Sequence, residues 1–190
     1  KKGHKITVGA RNKESNSIVN LKQNLPEIEI KSIGESVKDS DVILISANID
    51  AVKSISEEIK SNLKDQVIID AMNSVRSKPS PFENSFEALK AYTGHLEIVK
   101  CFNSTGFENM ENPIYVFNDK NIPIDMFMAG NSVKAKQIAK NLALDCGFGD
   151  CIDFGGDDKV PLLESFALTW INLAFMQGKG RNFAFKVLER

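Results

Sequence analysis

The chain has no long hydrophobic run, no basic stripe, and very little histidine or cysteine. Each absence narrows the field. The most apolar stretch, residues 160–176, falls short of the roughly 20 residues that span a bilayer. It also carries Glu164 and Asn172, so no membrane partner is expected. Formal net charge is -1 and the lysines are scattered, which leaves no electrostatic footprint for nucleic acid. The cysteines Cys101, Cys146 and Cys151 are odd in number and form no CxxC. That argues against a disulfide framework or a zinc site, and for reduced thiols in a cytoplasmic protein. Cys101 lies inside an apolar strand pattern and is expected in the core. The N-terminal residues are polar and hold no apolar h-region, so no signal peptide is expected. His4 and His95 are the only histidines, and no GxSxG elbow is present. Ser-His-Asp catalysis and a metal cluster therefore have no support, and no catalytic side chain is nominated.

What remains is an ordinary globular composition, 42% hydrophobic and 26% charged over 190 residues. That suits one α/β domain with a small appendage. Strand patterns fall at 6–9, 29–33, 41–47, 66–71, 97–103, 125–130 and 151–154. Helical patterns fall at 17–23, closed by Pro26, at a turn 36–40, and at 51–63, with Asp50 as its cap. Further helices are expected at 84–92 and 132–146, with a loop at 104–113. Residues 159–190 read as helical, interrupted near Gly178-Lys179-Gly180. The runs DVILISA (41–47) and QVIIDA (66–71) suit strands buried on both faces. Repeated alternation predicts an α/β fold, a Rossmann-like, mainly parallel, doubly wound sheet with right-handed crossovers. We place that domain at residues 1–155 and a C-terminal helical segment at 156–190. All 12 phenylalanines follow residue 81, so an Ile/Val-rich layer precedes an aromatic part suited to a pocket or an interface.

Ligands of such sheets bind at the carboxyl ends of the strands, so the strand ends carry the functional reading. Residues His4–Lys13, HKITVGARNK, form a short strand running into Gly9-Ala10-Arg11-Asn12-Lys13. An NAD enzyme places an Asp or Glu at the end of its second strand to accept from the ribose 2′-hydroxyl. Here Arg11 stands in that place, with Lys13 close behind. A guanidinium pairs with a 2′-phosphate through parallel hydrogen bonds, which predicts NADP rather than NAD. Read this way, residues 6–9 are the second strand of the nucleotide-binding half. The first strand and its Gly-rich turn are then expected to be missing from the chain. Ser46-Ala47-Asn48 and Ala71-Met72-Asn73 end adjacent buried strands with small or amide side chains, suited to a flat cofactor and to its ribose hydroxyls or carboxamide. The strand VKCFNSTG (99–106) runs into Asn103-Ser104-Thr105-Gly106, a further rim of the same crevice, where Gly106 permits close approach or a positive φ. The GxG of residues 147–149 and that of 178–180 are decoys, since Ile152 and Phe183 stand where GxGxxG needs its last glycine. Gly147 is better read as a helix stop.

The segments GHKITVGAR, DVILISANIDAV, VIIDAMN, VKCFNSTG, DMFMAGN and CGFGDCIDFGG, in this order, resemble the NADP oxidoreductases that depend on the deazaflavin coenzyme F420. The resemblance spans almost the whole chain. It implies direct hydride transfer between NADP(H) and a deazaflavin-type coenzyme. It also implies that Ala10, Arg11, Asn12 and Lys13 meet the 2′-phosphate, and that Ala47 and Asn48 contact the cofactor. Ala71, Met72 and Asn73 would approach the nicotinamide, and Asn103, Ser104, Thr105 and Gly106 would line the rim where the two rings meet. The family has small residues or proline after the strand ending at Ala47, where this chain has Asn48-Ile49. Alternatives on the same domain are an NADPH-dependent flavin or ferric reductase and a non-catalytic NADP sensor. The apolar terminal helix is expected to join subunits into a homodimer.

Overall fold

The computed structural model describes residues 2–75 and 77–190. Strand β1 (Thr7–Gly9) leads through helix α1 (Asn16–Asn24) to β2 (Glu29–Lys31), which pairs parallel to it with Val8 opposite Ile30. The short helix α2 (Ile33–Ser36) then delivers the chain to β3 (Val42–Ile45). Helix α3 (Val52–Lys60), β4 (Val67–Asp70), α4 (Ser85–Thr93) and β5 (Ile98–Cys101) follow. Next come α5 (Phe107–Glu111), the hairpin β6 (Ile114–Phe117) and β7 (Lys120–Pro123), β8 (Met126–Ala129), α6 (Val133–Cys146), β9 (Cys151–Asp153) and α7 (Val160–Ile171).

The main sheet runs β3-β4-β5-β8-β9. Strands β3, β4 and β5 are parallel, with Ile45 opposite Asp70 and Asp70 opposite Lys100. Strand β8 enters antiparallel to β5, and β9 returns parallel to β8. The expectation of a mainly parallel sheet is met, with one antiparallel pairing inside it. Among the described residues β1 and β2 form a separate sheet, and β3 pairs only with β4.

Side-chain alternation divides the core between the two faces. Ile68 and Ile98 join Ile55, Ile59, Phe86, Leu89 and Leu163 on one face, the side of α3, α4 and α7. Val67, Ile69 and Val99 join Cys101, Met126 and the alanines of α6 on the other. Ala135, Ala139 and Ala143 recur at i, i+4 and are buried, so α6 lies close on the strands. Ser132 caps that helix by accepting from the Ala135 amide at 2.9 Å, and Gly147, at φ 101°, stops it as expected.

Three local expectations are corrected. Asn48, not Asp50, is the cap before α3: its Oδ1 accepts from the Asp50 amide at 3.1 Å and starts the 3-10 turn Ile49–Ala51. The stretch after residue 106 is not loop throughout, because α5 and the β6–β7 hairpin occupy it. The hairpin closes on Asn118 (φ 50°) and Asp119 (φ 59°), residues that tolerate the left-handed region a two-residue turn demands. Finally, helix extends only through the π-helical turn Asn172–Met176. Residues 177–190 form no helix and strap back across the molecule, with the Phe183 carbonyl accepting from Asn109 Nδ2 at 2.8 Å and from Trp170 Nε1 at 3.0 Å.

Candidate functional site

After β1 the Ala10 amide still donates to the Lys31 carbonyl at 3.0 Å, which holds the strand end in place. Arg11, Asn12 and Lys13 are exposed. Asn12 shapes the turn by accepting from the Glu14 amide at 2.9 Å. Among the described residues, no carboxylate forms an ion pair with Arg11 or Lys13. Gly9 is needed for packing, since a Cβ there would lie 2.6 Å from Ser36 Oγ. After β3, Ser46, Ala47 and Asn48 are all exposed.

The turn after β4 is held far more firmly. Met72 is buried, while Ala71 and Asn73 are half-buried. The Met72 amide donates to Asp70 Oδ1 at 3.0 Å, and its carbonyl accepts from Lys100 Nζ at 2.5 Å. Asn73 reaches across to the end of β5. Its Nδ2 donates to the Asn103 carbonyl at 2.9 Å, and Asn103 Nδ2 donates back to Asn73 Oδ1 at 3.1 Å. Asn103 is 4% exposed, and its Oδ1 is buried with no donor. Such an orphan acceptor is uncommon in a folded protein and calls for a partner.

Of the two uses open to Gly106, close approach or a positive φ, the positive φ falls instead at Phe102, at 60°. A non-glycine residue there costs about 1–2 kcal/mol. Its ring packs edge-on to Phe148, and the bend delivers Asn103 to Asn73. Ser104 is buried, its hydroxyl directed at Met126 sulfur, 3.6 Å away. Thr105 Oγ1 accepts from Asn109 Nδ2 at 2.7 Å. Gly106 has φ -74° and starts α5. A Cβ there would lie 2.9 Å from Trp170 Cη2 and 3.1 Å from Arg181 Nη2, so the close approach it permits is to this chain's own side chains. Arg181 grips Glu108 through two bonds, 2.5 and 2.9 Å, which holds the Glu108 carboxyl below its ordinary range.

The fold thus brings Asn73 and Asn103 together, packs Ser104 and Gly106 within the protein, and leaves Arg11, Asn12, Lys13, Ala47 and Asn48 open to solvent. Sequence reasoning missed Lys100. It has no exposed surface and is held by Asp70 Oδ2 (3.0 Å), Ser85 Oγ (3.0 Å), Glu164 Oε1 (2.8 Å) and the Met72 carbonyl. The signal was present: a lysine and an aspartate, each the lone charge within a strand buried on both faces.

The histidines stand apart from the strand ends. His4 pairs with Asp145 at 3.0 Å on the surface, and His95 Nε2 meets the carbonyl of Gln66, before β4, at 2.6 Å. Cys101 is in the core as expected, 3.7 Å from Cys151 sulfur, and burial first, then Cys151, pushes its thiol well up. No described helix is long and apolar enough to cross a membrane.

Residues 1–74 match the model of the family described as "NADP oxidoreductase coenzyme F420-dependent". A relative from Methanocaldococcus jannaschii, the F420-dependent NADP reductase, is 23% identical over 90% of this chain and 82% of its own length. A candidate F420-dependent NADP-reductase from Arthrobacter sp. FB24 superposes with a TM-score of 0.82 at 19% identity, covering 98% of this chain and 90% of that one. A Streptomyces aurantiacus imine reductase shares the fold at TM-score 0.62 and 12% identity, covering 93% of this chain and 56% of its own. The N-terminal segment is thus similar to the coenzyme F420-dependent NADP oxidoreductase family, and nine-tenths of the chain is similar to one F420-dependent NADP reductase.

Proposed function

We propose that the strand ends bind NADP(H) and that the protein transfers hydride between it and a deazaflavin-type coenzyme. The observation that carries the nucleotide reading is the turn after β1, with an exposed Arg11 and Lys13 that form no ion pair with a carboxylate among the described residues. Such a pair fits a 2′-phosphate, with Ala10 and Asn12 shaping the turn around it. Ala47 and Ala71 offer no bulk against a flat ligand, and Asn48 and Asn73 offer amides to its hydroxyls. Asn103 Oδ1 is an unpaired acceptor, which suits the amide hydrogens of a nicotinamide, with Met72, Ser104, Thr105 and Gly106 forming the rim around it.

When bound, the nicotinamide and the deazaflavin supply the redox chemistry themselves. The chain's part is to hold and align them, and direct hydride transfer requires no protein acid or base. That agrees with strand ends at which neither histidine stands. We also place the protein in the cytoplasm as a homodimer, joined through the exposed Leu162, Leu168, Phe175 and Met176.

The test is Arg11→Ala with both nicotinamide cofactors. Loss of a charge-assisted pair costs about 1.5–3 kcal/mol, so NADPH binding should weaken about 10- to 150-fold while NADH binding barely moves. Equal losses would remove the 2′-phosphate assignment. The acceptor is tested by following NADPH absorbance with a deazaflavin and with free flavin. Turnover with free flavin alone would make the protein a flavin reductase. Tight binding without turnover would make it a sensor.

A further inference from the structure

Lys100 lies in β5, between β4 and β8, where Asp70 and Ala129 are its register partners. A lysine without exposed surface is rare unless it is paired. Here the pairing has a particular geometry. Four acceptors, Asp70 Oδ2, Glu164 Oε1, Ser85 Oγ and the Met72 carbonyl, surround the ammonium and share its three hydrogens. Asp70 in turn accepts from Ser85 Oγ at 2.6 Å and from the Met72 amide at 3.0 Å. Met72 is therefore held on both sides, its N–H by the aspartate and its C=O by the lysine. The next residue, Asn73, is locked to Asn103. A buried network fixes best when every member is satisfied, and in this one only the Asn103 acceptor is left open. Glu164 brings α7 into the same cluster.

We propose that Lys100 is a positioning residue. Its ammonium sets the Ala71–Met72–Asn73 turn and, through Asn73, the open acceptor of Asn103, and Glu164 ties α7 to that point. The inference rests on the nucleotide site proposed above. Its geometric part stands independently of any ligand, because the Met72 amide reports the turn directly.

The experiment is hydrogen exchange and cofactor binding on Lys100→Met, which removes the ammonium and keeps the stem. Glu164→Gln, which keeps an acceptor and removes one charge, is the milder companion should the first fail to fold. In Lys100→Met the Met72 amide should exchange at least tenfold faster while Ile68 and Val99 stay protected. KM for NADPH and for NADH should rise by the same factor, tenfold or more, with KM for the acceptor unchanged. Glu164→Gln should move the same amide in the same direction by less. A uniform loss of protection across β4 and β5 would make Lys100 a plain brace of the fold and overturn the proposal. An unchanged Met72 amide in whichever variant folds would overturn it as well. A freed Met72 amide in a protein whose wild type binds no NADPH would sink the nucleotide reading and leave the positioning role standing.

Discussion

At residue 106 the packing leaves room for a hydrogen and little else. Trp170, Arg181 and Glu108 close over it, and Trp170 is 3% exposed. Glu108 can swing aside, but the indole cannot. Gly106→Ala should therefore destabilise the protein by about 1–3 kcal/mol, the range for overpacking. A melting curve checks this, and an unchanged midpoint would show that the ring has freedom the packing denies it. The thiols offer a second residue-scale prediction. Cys146 is exposed while Cys101 and Cys151 are buried, so a thiol reagent should label one site quickly and two only on unfolding. Because Cys101 is held protonated in the fold, the unfolded chain releases that proton first as pH rises. Stability should then fall with pH above about 8.5, the ordinary thiol value. Urea midpoints at pH 7 and pH 10, compared with a Cys101→Ser control, would reveal it.

At the scale of elements the C-terminal strap decides how the rim is covered. Trp170 stacks on Phe183 with ring centroids 5.3 Å apart, and Phe183 meets Phe185 edge-on at 6.1 Å. The strap is further pinned where Asp125 Oδ2 accepts from the Val187 amide at 2.8 Å. Phe183→Ala should cost about 2 kcal/mol, below the ~3–5 of a fully buried phenylalanine, because Phe183 is half-buried. The only tryptophan reports the strap, so its emission should shift to the red in the variant before global unfolding. No shift would mean that the backbone bonds alone keep the strap in place. Since Arg181 depresses the Glu108 carboxyl, this latch persists through neutral pH and lets go as pH falls through the lowered value. The strap is also where sequence reasoning failed. Apolar residues through 176 suit a helix, but Gly178 and Gly180, at φ 67° and 77°, end it, and the aromatics beyond them pack on other elements. A helical period cannot distinguish those two outcomes.

Across the whole molecule, burial is uneven. Every residue of β4, β5 and β8 is buried, whereas β1 and β2 are at best half-covered. A two-stranded sheet has little stability of its own. Amides of β1 and β2 should exchange through local opening, well before those of β4 and β5, which should exchange only on global unfolding. Equal protection of both sheets would show that they open as one unit. The strand–helix alternation, the buried strands and the stop at Gly147 were all legible in the residues. So was the basic turn at Arg11, because periodicity and turn chemistry are local properties and act within a few residues of one another. What local pattern does not carry is the meeting of distant groups. The pairing of Asn73 with Asn103 and the closure of Trp170 over Gly106 arise only once β4, β5 and α7 are packed together. So does the capture of Lys100 by Asp70, Ser85 and Glu164, since a buried charge becomes tolerable only when tertiary structure supplies the partners that replace water.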